Sequence, residues 1–371
     1  MRILRNYVLK EMLGPLLATL SVFTFVLLIG NMFKLADLLI NKGVDIRDII
    51  RLFFYLIPYI LSYTIPMALL TATMLCFGRL ASDNEVTAMR ASGISLYKIG
   101  APIIVCAFII SLGSVYLNDR ILPASHFASY KLVKGVALKN PTAYLEAGTF
   151  IKNFKGYIVR INSIDGNDLK GILIYQLQEK GPTRTIMAKK GKFISYPDKN
   201  MMKLKLIDGT ADEPDPKDPG VFYKLNFKTY DMTLDLEKGF KKEGLQKKLK
   251  DMTIKELKLS IARLKATSSN LPHMLTEIRE HLTEIHRKLA MAFSSFVFVL
   301  VALPLAINTR KREKSIGFGM SLIILTLYFL LLFGGMSLSL RGIVPPIIGV
   351  WLGNFLFFII GIGLTFIIIE K

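Results

Sequence analysis

Six stretches without any acidic or basic side chain dominate this sequence. No Asp, Glu, Lys or Arg occurs in residues 12–33, 52–78, 99–118, 289–309, 315–340 or 342–369. As a helix, each stretch is long enough to cross a hydrocarbon core of ~30 Å. Lipid offers the backbone no hydrogen-bond partners, so segments of this kind must be helical. The sequence therefore predicts an α-helical polytopic membrane protein with six transmembrane helices, arranged 3+3 around a polar insertion.

Composition agrees with this prediction. Hydrophobic residues make up 52% of the chain, and the mean hydropathy is +0.43, which is too apolar for a soluble globule. The two cysteines, Cys76 and Cys106, both fall inside predicted spans. We therefore expect packing roles for them, and neither a disulfide nor a metal site.

The distribution of basic residues predicts the orientation in the membrane. Loops on one side, in 1–11, 78–98 and 309–314 and at the C-terminus, carry eleven Lys and Arg residues. Loops on the other side, in 33–51 and at 341, carry five. The positive-inside rule then places both termini in the cytoplasm. Three crossings place the polar insertion on the opposite side of the membrane.

The polar insertion carries more basic than acidic residues. Two interpretations stay open: a lysine-rich solubilising surface, or a surface and vestibule that meet an anionic ligand. We predict no nucleic-acid partner.

Within the insertion, apolar residues alternate with polar ones, as in half-buried strands. The alternation is clearest in four segments: 157–161, 172–177, 202–206 and 222–236. In the last segment the alternation slips by one residue near Lys228–Thr229, which predicts a bulge or bend. Turn signals such as Asp208-Gly209 separate the strands. The sequence thus predicts an antiparallel sandwich or β-jelly-roll.

These patterns divide the chain into three predicted regions. Residues 1–120 form an N-terminal membrane half, 121–271 a β-jelly-roll domain with a following helix, and 272–371 a C-terminal membrane half. Further helices are predicted at 253–266 and 272–308, and the second of these runs into span four without a break. Residues 1–11 are predicted to be an amphipathic lead-in at the cytoplasmic surface, with four apolar side chains on one face: Ile3, Leu4, Tyr7 and Val8.

The chain lacks the motifs of a self-powered pump or of common hydrolases. There is no G-x-x-x-x-G-K-[ST] phosphate loop, no H-E-x-x-H and no G-x-S-x-G. The predicted span interiors hold no ionisable residue other than Cys and Tyr, so a proton relay has no evident members. We therefore predict a non-catalytic chain that binds no cofactor itself and receives its energy from a partner.

A short helix is predicted at 82–93, in the loop between spans two and three. Ser82 or Asp83 can cap it, Glu85 lies in its first turn, and Gly93 suits the C′ position. Its small apolar face consists of Ala88, Met89 and Ala91. The helix is either an ordinary amphipathic connector or a coupling helix that docks in the groove of a partner ATPase.

The same loop carries a resemblance to a known family. The run from Gly78 to Gly93, GRLASDNEVTAMRASG, resembles the signature of the LptF/LptG (YjgP/YjgQ) permeases, the membrane subunits of the lipopolysaccharide exporter. Further matches are Glu284 to Ile307, the basic loop Arg310–Lys314, Gly317-Phe318-Gly319, and Pro345-Pro346 at the start of the last span. The resemblance covers essentially the whole chain, and the amino-acid sequence of the loop is more similar to LptF than to LptG. The Lys-rich tract 238–285 departs from the family pattern.

The resemblance implies an ATP-driven ABC exporter in the inner membrane of a Gram-negative bacterium. In such an exporter this chain would pair with a homologous sister permease and with an LptB-type ATPase dimer, which binds the ATP and Mg²⁺. It would extract lipopolysaccharide from the outer leaflet and pass it to periplasmic jelly-roll proteins of the LptC/LptA type. The residues predicted to couple to the ATPase are Asp83, Glu85, Ala88, Met89, Arg90 and Gly93.

A second predicted site is a cationic rim for lipopolysaccharide phosphates. Its candidates are Lys34, Lys42, Arg47, Arg287 and Lys288. Similar family members use basic residues just after the first span against lipid A phosphates, which favours Lys34 and Lys42. The alternative is that these side chains are snorkelling anchors at helix ends.

Two other function classes stay open. A membrane-anchored periplasmic scaffold or binding module would not need six spans and a structured cytoplasmic helix. A lipid-modifying membrane enzyme would need a cluster of acids, bases or metal ligands, for which the available residues are Asp119, His126, Glu280, His281 and Glu284. Co-purification of a nucleotide-binding ATPase separates the three classes.

Overall fold

The structure is a computed structural model, and it describes two compact units. It covers every residue except 1, 41–43, 140–146, 155, 166–167, 178–182, 197–200, 215–221, 235–246, 268–270, 309–313 and 371. Unit 1 comprises residues 1–32, 54–127 and 247–371, and unit 2 comprises residues 33–53 and 128–246.

Long helices account for most of the described chain. They are α1 (Arg2–Ile40), α2 (Ile46–Ser82), α3 (Glu85–Ala91), α4 (Leu96–Tyr116), α5 (Leu122–Lys139), α6 (Ile254–Thr267), α7 (Leu271–Asn308), α8 (Lys314–Leu340) and α9 (Pro346–Glu370). In the described part of the chain, six helical segments are long and apolar enough to cross a membrane. Three of them precede the β-strands and three follow. The polytopic helical prediction is confirmed at this level.

Several helices extend beyond the charge-free stretches. The predicted lead-in at 1–11 is the first part of α1, in which Val8 is fully buried and Ile3 is 88% exposed. Helix α4 continues through a π-helical turn at Leu117–Ile121 into α5. Charged residues therefore mark where the apolar segment ends, but they do not end the helix. Helix α7 is continuous into span four, as predicted.

Helix α7 is packed against α4 and α9 in unit 1. Polar side chains join three helices there: Tyr328 Oη on α8 donates to Asn354 Oδ1 on α9 at 3.0 Å. Asn354 Nδ2 in turn donates to the carbonyl oxygen of Ala290 on α7 at 3.0 Å. Interhelical hydrogen bonds of this kind stabilise helix association in lipid, where the hydrophobic effect does not drive it.

Helices α8 and α9 approach each other at two glycines. A Cβ atom placed on Gly335 would lie 1.9 Å from the carbonyl oxygen of Gly349, and one on Gly349 would lie 2.5 Å from that of Gly335. The two backbones are therefore in contact, which small residues permit in membrane helices. The neighbouring Gly334 has no such restriction, since nothing lies within 4 Å of its Cβ position.

Unit 2 contains a six-stranded antiparallel sheet. Its strands are β1 (Phe150–Phe154), β2 (Tyr157–Asp165), β3 (Asp168–Gln176), β4 (Arg184–Tyr196), β5 (Met201–Pro214) and β6 (Phe222–Leu234). Their order in the sheet is β1-β2-β3-β4-β5-β6, a meander in which sequence neighbours pair. The four predicted strand segments coincide with β2, β3, β5 and β6, and the antiparallel pairing is confirmed, whereas β1 and β4 were not among the predicted segments. The described strands do not confirm a jelly roll.

The predicted bulge at Lys228–Thr229 takes a different form. Pairing of β5 with β6 skips one position, between Ile207↔Thr229 and Gly209↔Phe227, and the register is the same on both sides. The same skip recurs on each neighbouring strand, along a row formed by Asn162, Gly171, Lys189, Asp208 and Lys228. We call this row the crease. A bulge adds a residue to one strand, whereas here all five strands change together and the register is kept.

The crease explains the slip in the apolar pattern. On each strand, two consecutive residues at the crease point away from the core, and the alternation resumes with the opposite parity. Gly171 and Asp208 have positive φ values, 64° and 53°, in the left-handed region. The core therefore stays on one face of the sheet on both sides of the crease, with Ile161, Ile174 and Leu206 fully buried.

Candidate functional site

The predicted coupling helix is present as α3, and its C-terminus is sharply defined. Gly93 has a φ of 79° and occupies the C′ position. Its N–H donates to the carbonyl of Arg90 at 2.9 Å, and the N–H of Ile94 donates to that of Met89 at 3.1 Å. These two bonds form a Schellman motif, which needs the left-handed conformation that glycine adopts freely.

The N-terminus of α3 differs from the prediction. Neither Ser82 nor Asp83 is the cap, because both belong to the end of α2 and the turn that follows it. The Ser82 hydroxyl donates to the carbonyl of Arg79 at 3.0 Å. Asn84 is the N-cap, with a φ of 60° and no side-chain hydrogen bond to the helix. The helix therefore begins at Glu85, three residues later than predicted, because α2 runs on to Ser82.

One face of α3 is open to a partner. Val86 is buried in the unit 1 core, whereas Asp83, Ala88 and Arg90 are exposed and Met89 is half-buried. Small exposed side chains allow close backbone approach, and flanking charges can orient a partner. The structure thus brings the predicted coupling residues together on one short segment.

Glu85 has a partner that the sequence pattern did not suggest. Tyr7 Oη on α1 donates to Glu85 Oε2 at 2.6 Å. Four residues further along α1, Glu11 Oε2 pairs with Arg79 Nη2 at the end of α2, also at 2.6 Å. The only signal in the sequence was the i, i+4 spacing of Tyr7 and Glu11, which places both on one helix face.

Two of the predicted rim residues, Lys34 and Arg47, belong to unit 2. Lys34 is exposed on α1, and Arg47 is exposed in the first turn of α2. Lys42 lies outside the described residues. The Asp45 carboxylate accepts the backbone N–H of Arg47 at 3.0 Å, and Asp48 pairs with Arg51 at 3.3 Å. Neighbouring carboxylates thus reduce the positive field around Arg47 and Arg51.

The other two predicted rim residues lie on α7 in unit 1 and are buried. Arg287 makes two hydrogen bonds to Glu284, at 2.8 and 2.7 Å, and the two side chains are 13% and 9% exposed. Lys288 is 2% exposed, and its Nζ donates to the carbonyl of Met252. Both cations therefore have protein partners in this structure.

Within unit 1, the segment before α6 is bound to residues 119–126 by side chains whose contacts the sequence did not predict. Asp119 Oδ1 accepts the N–H of Ile254 at 2.6 Å. His126 Nδ1 and the buried Asp251 share a hydrogen bond. These contacts span more than a hundred residues of sequence, so no local pattern could have revealed them.

The pKa of Glu256, in the first turn of α6, is shifted by the groups around it. Burial acts to raise the pKa of Glu256, but hydrogen bonds from Lys247 and Thr253 outweigh it and lower the pKa below its ordinary value. Thr253 N–H donates to Glu256 Oε2 at 2.8 Å. Glu256 therefore completes the N-terminal turn of α6, which is a structural role.

Four of the five residues that a lipid-modifying enzyme could use make similar structural contacts, and Glu280 is the exception. His281 Nε2 lies 2.9 Å from the hydroxyl of Ser260, and its Nδ1 lies 2.7 Å from the carbonyl of Glu277. Glu284 pairs with Arg287, while Glu280 is exposed. Among the residues that the structure describes, no three His, Cys, Asp or Glu side chains are grouped to hold a metal ion.

Six helical segments long and apolar enough to cross a membrane, with an antiparallel sheet inserted between the third and the fourth, define a multi-pass membrane protein. The sequence model described as "Lipopolysaccharide export system permease LptF/LptG" matches residues 6–366. The chain belongs to this family, and it is a multi-pass inner-membrane permease component of the lipopolysaccharide export system.

Curated relatives agree with this assignment. The chain is 20% identical over 370 residues to the "Lipopolysaccharide export system permease protein LptF" of Escherichia coli (strain K12), covering 98% of this chain and 94% of that protein. The protein of the same name from Shigella flexneri gives the same values. Both relatives are named LptF, in agreement with the LptF-like sequence of the loop between spans two and three.

Proposed function

We propose that this chain is the non-catalytic membrane subunit of an ATP-driven exporter that extracts lipopolysaccharide from the outer leaflet of the inner membrane. Its partners would be a homologous sister permease and an LptB-type ATPase dimer that binds ATP and Mg²⁺. The observation that carries this proposal is the family match over 6–366. It is supported by the exposed α3 segment, which offers small side chains and a carboxylate to a docking partner.

The proposed orientation follows from the basic residues. Both termini and α3 would lie in the cytoplasm, because the loops on their side carry eleven Lys and Arg residues against five on the other. The sheet of unit 2 would then lie in the periplasm, where it can meet LptC/LptA-type proteins. Strand β6 lies at an edge of the described sheet, and its Tyr223 and Leu225 are exposed. An open edge can accept a further strand from a partner sheet.

The proposal predicts that Glu85 is needed for coupling rather than for folding. We expect Glu85→Ala to leave the membrane level of the chain unchanged. It should weaken ATPase association or lipopolysaccharide-stimulated ATP turnover by roughly tenfold, since losing one member of an interfacial charge pair has effects of this order. Co-purification of the ATPase and ATP turnover in reconstituted vesicles measure both quantities.

A matched control is Thr87→Ala, because Thr87 is exposed on the same helix. This control should retain wild-type ATPase association and turnover. Wild-type association together with wild-type turnover in Glu85→Ala would refute the coupling role.

The proposed lipopolysaccharide rim predicts charge dependence at the end of the first span. We expect Lys34→Glu combined with Lys42→Glu to reduce photo-crosslinking to lipopolysaccharide by roughly three- to tenfold, the effect of losing charged hydrogen bonds to phosphate. Membrane levels should not change, since Lys34 is exposed and its side chain supports no core packing.

The control for this experiment is Lys98→Glu, an exposed lysine predicted to lie on the opposite side of the membrane. It tests whether charge reversal at any interface lowers crosslinking. If the double variant crosslinks as well as the wild type does, Lys34 and Lys42 are only interfacial anchors.

A further inference from the structure

Side chains at the beginning of α1 contact the chain on both sides of the turn that precedes α3. Tyr7 holds Glu85, the first residue of α3, and Glu11 holds Arg79, near the end of α2. Between these two contacts the chain turns through Asp83 and the left-handed Asn84. We call the four side chains Tyr7, Glu11, Arg79 and Glu85 the clasp. One face of a single helix therefore sets the position of the turn from both ends.

Buried apolar side chains next to the clasp residues hold the three helices together. Val8 and Met12, which follow Tyr7 and Glu11 on α1, are 0% and 5% exposed. They belong to the same buried cluster as Leu80 of α2 and Val86 of α3. Close packing fixes the register of α1 against the turn, while the polar contacts fix the direction of the side chains. A loose surface contact would not include buried residues on all three elements.

Tyr7 orients the Glu85 carboxylate but hydrogen-bonds to only one of its two oxygens. Tyr7 donates to Oε2, and the described contacts leave Oε1 without a hydrogen bond. The side chain is half-buried, so part of it remains open to a cation from outside the chain. Holding a charged group in its bound geometry lowers the entropic cost of binding. Tyr7 is thus placed to prepare Glu85 for a partner.

The helix that carries Tyr7 and Glu11 is also the first membrane span. Helix α1 is uninterrupted from Arg2 to Ile40. Pro15 lies inside the helix, four residues after Glu11, so the clasp belongs to the part of α1 that precedes this proline. A shift or rotation that reaches this part of the helix moves the clasp, because secondary elements transmit displacement along their length. The segment at 1–11 is therefore more than an amphipathic lead-in.

We propose that the clasp makes the start of α1 a second coupling element, in which Tyr7 and the Glu11–Arg79 pair position Glu85 for the ATPase. Displacement of the first span is thereby communicated to α3. This inference rests on the proposed function, because it assumes that Glu85 meets the ATPase.

The test is a set of clasp variants in the complex purified with its ATPase and reconstituted into vesicles with lipopolysaccharide. The variants are Tyr7→Phe, Glu11→Arg, Arg79→Glu and the swap Glu11→Arg/Arg79→Glu, with Glu85→Ala as reference. We expect Tyr7→Phe and each single reversal to lower lipopolysaccharide-stimulated ATP turnover by about fivefold, the effect of one hydrogen bond or ion pair with a charged group. The swap should restore turnover, which a general packing defect would not allow.

Tyr97→Phe is the matched control, since Tyr97 is an exposed tyrosine near the start of α4 for which the described contacts include no hydrogen bond. It should behave as wild type. Combining Tyr7→Phe with Glu85→Ala should add nothing to the loss from Glu85→Ala alone, because Tyr7 acts through Glu85.

The outcomes separate the two proposals. If Glu85→Ala lowers turnover while Tyr7→Phe and the single reversals do not, the clasp is refuted and the proposed function stands. If the swap fails to restore turnover although its membrane level is normal, the positioning role of the Glu11–Arg79 pair is refuted. If Glu85→Ala has no effect, the coupling role of α3 fails, and the clasp proposal fails with it.

Discussion

Gly335→Ala should strongly destabilise the membrane half formed by α8 and α9. The added Cβ would lie 1.9 Å from the carbonyl oxygen of Gly349, which belongs to the backbone and cannot rotate away. The two helices must therefore separate, and overpacking of this kind costs about 1–3 kcal/mol or more. We expect a lower unfolding midpoint in detergent and a lower level of the chain in the membrane.

The adjacent glycine provides a matched control. Gly334→Ala adds the same methyl group to the same helix, where nothing lies within 4 Å of the Cβ position. Alanine favours a helix over glycine by ~1 kcal/mol, so this variant should be neutral or slightly stabilised. Equal unfolding midpoints for the two variants would show that the backbones of α8 and α9 are not in contact at Gly335.

The second large effect is expected at Arg287. Arg287→Ala would leave the Glu284 carboxylate buried without its bidentate partner, at a cost of about 3–5 kcal/mol. Replacing both residues by methionine should recover most of that loss, because no charge is then left buried. Thermal unfolding of the purified protein measures both variants.

An exposed pair provides the comparison for this experiment. Arg51 pairs with Asp48, and the Arg51 side chain is 64% exposed, so Arg51→Ala should cost only about 0–1 kcal/mol. The structural role of Arg287 would be contradicted by an unchanged unfolding midpoint with reduced crosslinking to lipopolysaccharide. That result would return Arg287 to the cationic rim.

The helical part of the fold was predictable because lipid leaves little choice. A run such as 342–369 without charge has to satisfy its backbone internally, so both its location and its conformation follow from composition. Helix ends were less predictable. Asp119 and Arg120 end the apolar segment, yet the helix continues through them, because helical hydrogen bonds persist once the chain leaves the apolar region.

The strands were predictable for a similar reason, since one buried face imposes a period of two. The crease was visible only as a slip in that period at β6. Its true extent depends on Gly171 and Asp208, which lie on other strands, and the pattern of a single strand cannot show that its neighbours slip at the same level.

At the candidate sites, residues that could have a functional role were easier to predict from the sequence than the residues that they contact. Glu85 and Gly93 stand out in a short loop, and the Schellman motif follows from the glycine. The Tyr7 contact joins residues 78 positions apart and has no local signal. Arg287 and Lys288 were predicted to be exposed rim cations because they lie at the start of an apolar span. Their burial depends on how Glu284 and the 249–253 turn pack around them, which the sequence does not show.

The meander order of the sheet has a consequence for synthesis. Every strand pairs with the one made just before it, so the sheet can grow one hairpin at a time as the chain emerges. None of the described strand pairings requires a segment made after Leu234. The growing edge of the sheet, on β1 to β5 in turn, is therefore unpaired only until the next strand arrives, which limits the time available for aggregation before the last three membrane helices are made.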